Sequence, residues 1–385
     1  MEFAWTEDQL AIQEAVRRWG AEKLAPWYQS REAQGGLERE LIREMGGMGF
    51  IAPELDEGFG GLGLDAVTSG LIIEEIAFSD FNLSYVQLMS SLVGSILCQH
   101  ARPEIAREIV PRICAGELIM GLGLTEPGGG SDAANLRLTA RADGDEFVLK
   151  GEKASASFAA HMDQIVVFAR TGSVEERARG ISAFLVDMQL PGISRLPYDD
   201  LGTRPVGRGS VFFDNVRVPA SHMLGDLGQG FVQVMQGFDY SRALIGLQCI
   251  GAARASLAET WSHVAEREAF GRPIAKYQGV TEPLAVAETH IEAARLLSYK
   301  TLWLRDRGLP HTKEAAMVKW WCPKLAFDTI HQCLLLHGHS GYSTDMPHQQ
   351  RLRDVLGLQI GDGTAQIQKM IIAREMIGRV AVPYA

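Results

Sequence analysis

Cysteine is sparse in this sequence, and the five present (Cys98, Cys114, Cys249, Cys322, Cys333) have neither C-x-x-C spacing nor any pairing logic. That excludes a disulfide framework and a cysteine-held zinc, and points to reduced, mostly buried thiols of a cytosolic protein. Metal-ligand clusters are missing as well. His331, His337 and His339 share one neighbourhood but have no cysteine or carboxylate at ligand spacing, so no metal is expected. No apolar run reads as long enough to span a bilayer. The start, MEFAWTEDQLAIQEAVRRW, alternates acids with apolar residues and lacks the basic-then-apolar order of a signal peptide. A cytoplasmic protein with no membrane partner is expected. Basic residues are in deficit, 37 against 47 acidic, for a formal charge of −10, which argues against nucleic acid. Internal repeats, disordered tracts and a regular strand–helix alternation are also absent, so a doubly wound sheet is disfavoured.

What is present is 385 residues with 46% apolar content, enough to bury a large core. Residues from about Glu7 to Gly116 read helical. Leu10, Ala11, Ala15 and Trp19 recur near a 3.6 period, as do Leu41, Ile42, Met45 and Met48, and two apolar helices follow over Val67–Phe78 and Leu83–Gln99. EGFGGLGL (Glu57–Leu64) reads as a connection between helices, because no strand precedes it. The texture changes at Met120. FVLKGEKASAS, QIVVFART, ISAFLVDM and SVFFDNVRV are β-branched and aromatic runs punctuated by turn residues, and predict an antiparallel sheet or small barrel up to about Asp226. From Arg242 onward the pattern is helical again, with amphipathic windows such as Ala252–Glu266 and Val280–Arg305. The expectation is an α+β chain in three parts: a helical domain over 1–118, a β domain over 119–226 and a helical bundle over 227–385.

Two stretches carry chemistry. Gly361–Arg374 reads G-D-G-T-A-Q-I-Q-K-M-I-I-A-R. Thr364 is placed as a helix N-cap, Asp362 stands just outside the N-terminus where the helix dipole favours a carboxylate, and Gly363 permits a close backbone approach. On its own this is either a turn with an incidental acid or a base held at the mouth of a pocket. Leu122–Asp132 reads L-G-L-T-E-P-G-G-G-S-D, whose glycines and Ser131 offer amides and a hydroxyl to an anion such as a pyrophosphate. It is neither a P-loop nor a G-x-G-x-x-G turn opening a helix.

With R-E-A-F-G-R-P-I (Arg267–Ile274) between them, T-E-P-G-G-G-S-D and G-D-G-T-A-Q-I-Q resemble the acyl-CoA dehydrogenase family of flavoproteins, in the family's order and approximate spacing. The resemblance runs essentially end to end. It implies the family's fold: an N-terminal helical domain, a middle antiparallel β-barrel domain and a C-terminal helical bundle. It also implies non-covalent FAD and concerted α,β-dehydrogenation of an acyl-CoA, with electrons passing to an electron-transferring flavoprotein. Leu124, Thr125 and Ser131 match flavin and phosphate contacts, Ser157 the hydroxyl at the flavin edge, and Thr364 and Gln366 the last FAD contacts. Arg267, Phe270 and Gln278 match positions reaching a neighbouring subunit's FAD, which implies a homo-oligomer, usually a homotetramer. Arg242, Ser131 and Gly363 fall on the thioester side of the pocket, and Asp362 takes the place of the catalytic base.

Three departures bear on the substrate. The family usually has Glu where Asp362 stands; aspartate has similar acidity, but its oxygen retreats by about a C–C bond length. Some members carry the base on the residue before the pocket arginine, which here is Ser241 and cannot serve. Ser155 replaces a common tryptophan against the flavin, and Leu335 and His339 replace a glutamine and a glycine of the common pattern. A shorter base and a wider flavin face suit an acyl group branched at its α-carbon. Together with K-W-W (Lys319–Trp321) and H-G-H-S-G-Y, they make the chain similar to cyclohexanecarboxyl-CoA dehydrogenases, so cyclohexanecarbonyl-CoA is the expected substrate. Another branched or short acyl-CoA is the alternative within this chemistry. Two rivals stand outside it: a flavoprotein oxidase of the nitroalkane-oxidase kind, and a flavin-binding protein without catalysis. Trp320 and Trp321 are expected in the core.

Overall fold

The structure is a computed structural model and describes residues 4–381. The N-terminal part is built from α1 (Glu7–Trp19), α2 (Tyr28–Gln34), α3 (Arg39–Gly47), α4 (Ala66–Ser79), α5 (Phe81–His100) and α6 (Pro103–Cys114). The expected apolar pair, α4 and α5, is a little longer than its hydrophobic runs because acids cap it. Asp65 accepts from the Thr68 amide at 2.7 Å, and Asp80 ends one helix and caps the next through the Asn82 and Leu83 amides. Arg31, buried with Asp80 at 2.6 Å, supplies the opposing charge that such burial requires. By length and composition α5 could cross a bilayer, contrary to the reading of the apolar runs. It is instead an internal helix, its most apolar window 94% buried against protein.

The middle part is one eight-stranded sheet: β1 (Met120–Gly123), β2 (Thr139–Asp143), β3 (Glu146–Ala156), β4 (Gln164–Arg170), β5 (Ile181–Asp187), β6 (Ile193–Pro197), β7 (Gly209–Pro219) and β8 (Met223–Leu224). The order is β6-β7-β3-β2-β4-β5-β8, with β1 added beside β4. Most pairs are antiparallel, as alternating strand runs joined by tight turns require. The expected antiparallel sheet or small barrel holds for most of these pairs, and two pairings depart from it. β1 and β2 both run parallel to β4, and among the described residues β6 and β8 each have one neighbour, leaving the path open. The parallel β1 arises because the chain enters the sheet from α6 rather than from a hairpin. The register of β3 against β7 slips between Lys153 and Ala156, where Ser155 takes φ +54°. This bulge turns the end of β3 toward the helices.

The C-terminal part centres on α7 (Gly230–Glu266), 37 residues long, followed by the small hairpin β9 (Glu268–Ala269) and β10 (Arg272–Pro273), then α8 (Gln278–Asp306), α9 (Thr312–Leu336), α10 (His339–Tyr342), α11 (His348–Gly357) and α12 (Ala365–Ile377). α7 packs on α4 and α5 as well as on α8 and α9, so the two helical parts share one core. Close approach sets one residue here. A Cβ on Gly251 would sit 2.3 Å from the Glu74 carbonyl oxygen, so only glycine lets α7 cross α4 at this distance. Trp320 and Trp321, expected in the core, lie at its margin, Trp321 packing against it from outside. Both are half-buried and line a surface recess of about 430 Å³ with Leu297, Met317, Lys369 and Ile372, the Lys369 ammonium lying 4.5 Å from the Trp320 ring centre.

Candidate active site

The three parts meet around a cavity of about 350 Å³. Its apolar wall comes from Tyr85, Leu88, Met89 and Leu92 of α5 and from Phe238 and Ile245 of α7. These residues recur at helical spacing, so one face of each helix is given to the cavity. The opposite wall is polar: Thr125, Ser131, Ser157 and Thr364 all line it. None of these four hydroxyls has a hydrogen-bond partner among the described residues. Hydroxyls free at a cavity wall are a donor and acceptor set that a polar ligand can use.

Local forces place each of these residues. Lys153, fully buried on β3, pairs with Glu126 at 2.7 Å and donates to the Leu124 carbonyl at 3.2 Å, and its ammonium is drawn down by burial to a pKa of about 8. Glu126 also accepts from the Arg137 and Leu138 amides at 2.6 and 2.9 Å. One ion pair therefore ties β1, the glycine-rich turn and the approach to β2 together, and holds Leu124, Thr125 and Ser131 at the cavity rim. The β3 bulge brings Ser155 and Ser157 there from the other side.

Asp362 lies on the loop between α11 and α12, with φ +52°, followed by Gly363 at φ +92°. A Cβ on Gly363 would meet the Gln368 side-chain nitrogen at 2.5 Å. The loop is held by its carbonyls. Gln368 Nε2 donates to the Asp362 and Gly363 carbonyls at 3.0 and 3.2 Å, Arg242 Nε reaches the Asp362 carbonyl at 3.5 Å, and Lys319 Nζ donates to the Leu358 and Gly363 carbonyls at 2.7 and 3.2 Å. The carboxylate itself lines the cavity and accepts one hydrogen bond, from Ser241 Oγ at 3.2 Å. Burial pushes its pKa above the ordinary carboxylate value, against the pull of Lys319, Arg242 and the Ser241 hydroxyl.

Of the residues read from the sequence, Leu124, Thr125, Ser131, Ser157, Asp362, Gly363 and Thr364 come together in this one cavity. Thr364 occupies the N-cap position of α12 with extended backbone, but its hydroxyl makes no cap bond to the helix amides. The capping role expected of that side chain is corrected accordingly. Arg242 is buried behind Asp362 and paired with Asp239 at 2.9 Å. Arg267, Phe270, Gln278 and Gln366 stand apart and exposed, Phe270 at 96% on the tip of the β9–β10 hairpin. The apolar wall and the ties of the loop escape the sequence reading: Tyr85, Met89, Phe238 and Gln368 carry no signal there, whereas Lys319 lies among Ala315, Val318, Cys322 and Ala326 on the buried face of α9, a pattern that singles out a buried lysine.

A helical–β–helical chain with a buried carboxylate and a rim of free hydroxyls at the junction is an architecture for acting on a ligand bound between domains. Models of the acyl-CoA dehydrogenase N-terminal, middle and C-terminal domains match residues 6–117, 121–216 and 228–377. The chain belongs to the acyl-CoA dehydrogenase family. It is 32% identical over 380 residues to the probable acyl-CoA dehydrogenase YngJ of Bacillus subtilis (strain 168), covering 98% of this chain and 100% of that one. It is also 32% identical over 381 residues, with the same coverage, to cyclohexane-1-carbonyl-CoA dehydrogenase of Geobacter metallireducens. Among solved structures, butyryl-CoA dehydrogenase from Megasphaera elsdenii superposes with a TM-score of 0.94 at 29% identity, over 98% of this chain and 100% of that one. The protein is a flavin-dependent oxidoreductase of acyl-CoA, and its cofactor is FAD. The free hydroxyls of Thr125, Ser131, Ser157 and Thr364 fit that cofactor's polar edges.

Proposed function

We propose that the enzyme introduces the α,β double bond of cyclohexanecarbonyl-CoA, giving cyclohex-1-ene-1-carbonyl-CoA, with Asp362 as the base. The observation that carries this reading is the Asp362 carboxylate, fixed on a constrained loop at the junction of an apolar wall and a polar rim. The thioester lies on the polar side near Ser131 and Gly363, and the ring packs against Tyr85, Leu88, Met89 and Phe238. Asp362 takes the α-proton; Arg242, pinned to Asp239, steadies the base from behind. When bound between these walls, FAD would supply the hydride acceptor for the β-carbon. Leu124, Thr125, Ser131, Ser157 and Thr364 hold the cofactor from this chain, and Arg267, Phe270 and Gln278, all exposed, reach that of a neighbouring subunit in a homotetramer. Electrons leave to an electron-transferring flavoprotein.

Two features favour a ring. Aspartate sets the base back from a crowded α-carbon, and Ser155, exposed at the cavity where a tryptophan is common, leaves the flavin face open. The test is anaerobic flavin bleaching against linear, α-methyl-branched and cyclohexane-ring acyl-CoAs. Fastest bleaching is expected with the ring. Equal or faster bleaching by butyryl- or octanoyl-CoA would sink the ring assignment and leave the family chemistry untouched, and rapid reoxidation of the reduced enzyme in air would favour an oxidase. Asp362→Asn is expected to keep its flavin while reduction falls by at least about 10²–10⁴-fold.

A further inference from the structure

The Asp362 loop is built against its own preferences. A non-glycine residue at φ +52° holds a strained, left-handed backbone that its surroundings must enforce. A carboxylate enclosed by protein also tends to take up a proton, which would disable it as a base. α7 and α12 answer part of this through Ser241, Arg242 and Gln368. α9 contributes Lys319 alone. Lys319 is 1% exposed, and its ammonium donates to the Leu358 carbonyl, where α11 ends, and to the Gly363 carbonyl, just past the base.

We propose that Lys319 is a positioning residue for α-proton abstraction: its ammonium ties the two ends of the Asp362 loop and sets a positive charge behind the base. This rests on Asp362 being the base. In the step itself the C–H bond of the α-carbon breaks, its proton passes to an Asp362 carboxylate oxygen, and the electron pair forms the double bond as the β-carbon gives up hydride, for which bound FAD would be the two-electron acceptor. Lys319 neither gives nor receives a proton.

A lysine that merely closes the end of α11 would serve equally whatever the charge on Asp362. Here the two charges act on each other. Lys319 is the strongest charge opposing the burial of Asp362, and Asp362 is the strongest charge opposing the burial of Lys319, whose pKa is drawn down to about 8. Facing Asp362 are Ser241 and Arg242 of α7, Lys319 of α9 and, more distantly, Tyr85 of α5. Facing Lys319 are Cys249 and Arg242 of α7 and Cys322 of α9. Arg242 also opposes the burial of Asp362 but shares its charge with Asp239 at 2.9 Å, and its pull on Asp362 is the weaker of the two.

The experiment follows anaerobic flavin reduction by a fixed acyl-CoA across pH in wild type, Lys319→Gln and Lys319→Arg. Lys319→Gln keeps a donor and loses the charge. Its acid limb is expected to move up by about 1–3 pH units, so that reduction below the limb is about 10- to 1000-fold slower and recovers at high pH. Lys319→Arg keeps the charge and should hold the wild-type limb. A rate lowered equally at every pH in Lys319→Gln, with the limb unmoved, would make Lys319 a structural clamp only and overturn the proposal. A second readout needs no turnover. Lys319→Gln should destabilise the wild type to urea more than it destabilises Asp362→Asn, and the difference should vanish in acid. An additive pair also overturns it. If Lys319→Gln does not fold, Lys319→Arg decides: a limb displaced upward despite the retained charge refutes the proposal. Failure of Asp362→Asn to slow reduction would instead remove the base reading, and the two failures are distinct.

Discussion

One methylene separates Asp362 from the glutamate that most of its family uses, and the consequence lies in reach rather than acidity. The loop cannot advance to compensate, because its carbonyls are held by Gln368, Arg242 and Lys319. Asp362→Glu therefore pushes the base into the space a crowded α-carbon would take. The ratio of flavin-reduction rates for cyclohexanecarbonyl-CoA over butyryl-CoA is expected to fall by about tenfold, within the range one methylene commands in a pocket. An unchanged ratio would detach base length from specificity. The pH dependence has a definite sign. Burial raises the folded pKa of Asp362, so reduction should fail on acidification at a pH above the ordinary carboxylate range, and persist above it.

Among the elements, the turn after β1 depends most on a single pair. Replacing Glu126 by Gln leaves Lys153 buried without its counter-charge, a change that costs about 3–5 kcal/mol when one partner of a buried pair is removed. The same change leaves a single side-chain oxygen to accept from the Arg137 and Leu138 amides, which now use one carboxylate oxygen each. Purified Glu126→Gln is expected to carry less flavin per chain than wild type and to unfold at lower urea, measured by the visible absorbance ratio and by fluorescence. Full flavin content would show that the rim does not need the pair. This element also marks the limit of what the sequence disclosed. T-E-P-G-G-G-S-D could be recognised as a motif, and the hydrophobic periodicities found α4, α5 and the strands. Partnerships across long separations could not be seen. Nothing in K-A-S-A-S announces that Lys153 turns inward or that Ser155 sits on a bulge, and nothing in V-K-W-W-C says which of its members faces the base. Trp320 and Trp321 misled for the same reason: aromatic character argues for burial, whereas their place on α9 faces a recess. The parallel β1 was hidden because pairing direction is set by where the chain enters the sheet.

At the scale of the whole molecule, a stack of imidazoles joins α7, α9 and α11. His337 lies 4.1 Å from His263 and 4.5 Å from His348 between ring centres, beside the Glu259–Arg351 pair. His348 is fully buried, and neither ring nitrogen has a hydrogen-bond partner among the described residues. Burial draws both His337 and His348 down from 6.5 to about 4. Their folded pKa values lie below the unfolded ones, so the stability they contribute is present above about pH 6.5 and lost as pH falls through about 4, a few kcal/mol together. Asp354, raised to about 6 by burial, acts in the opposite sense: its contribution is present below about 3.8 and lost as pH rises through about 6. The histidines are therefore best isolated by difference. Urea unfolding of His348→Leu should depend less on pH between 6.5 and 4 than that of wild type. Equal slopes would mean that the stack opens to solvent before it titrates.

The internal helix α5 gives one face to the cavity through Tyr85, Leu88, Met89 and Leu92, while its other faces fill the shared core with residues such as Leu83, Val93 and Leu97. Substrate range and foldedness are thus written on the same twenty residues. A lineage adapting this enzyme to a new acyl group has little neutral ground on α5. Each change that reshapes the pocket must also be one the core accepts, so new specificities should arrive in the company of compensating substitutions on α4 and α7.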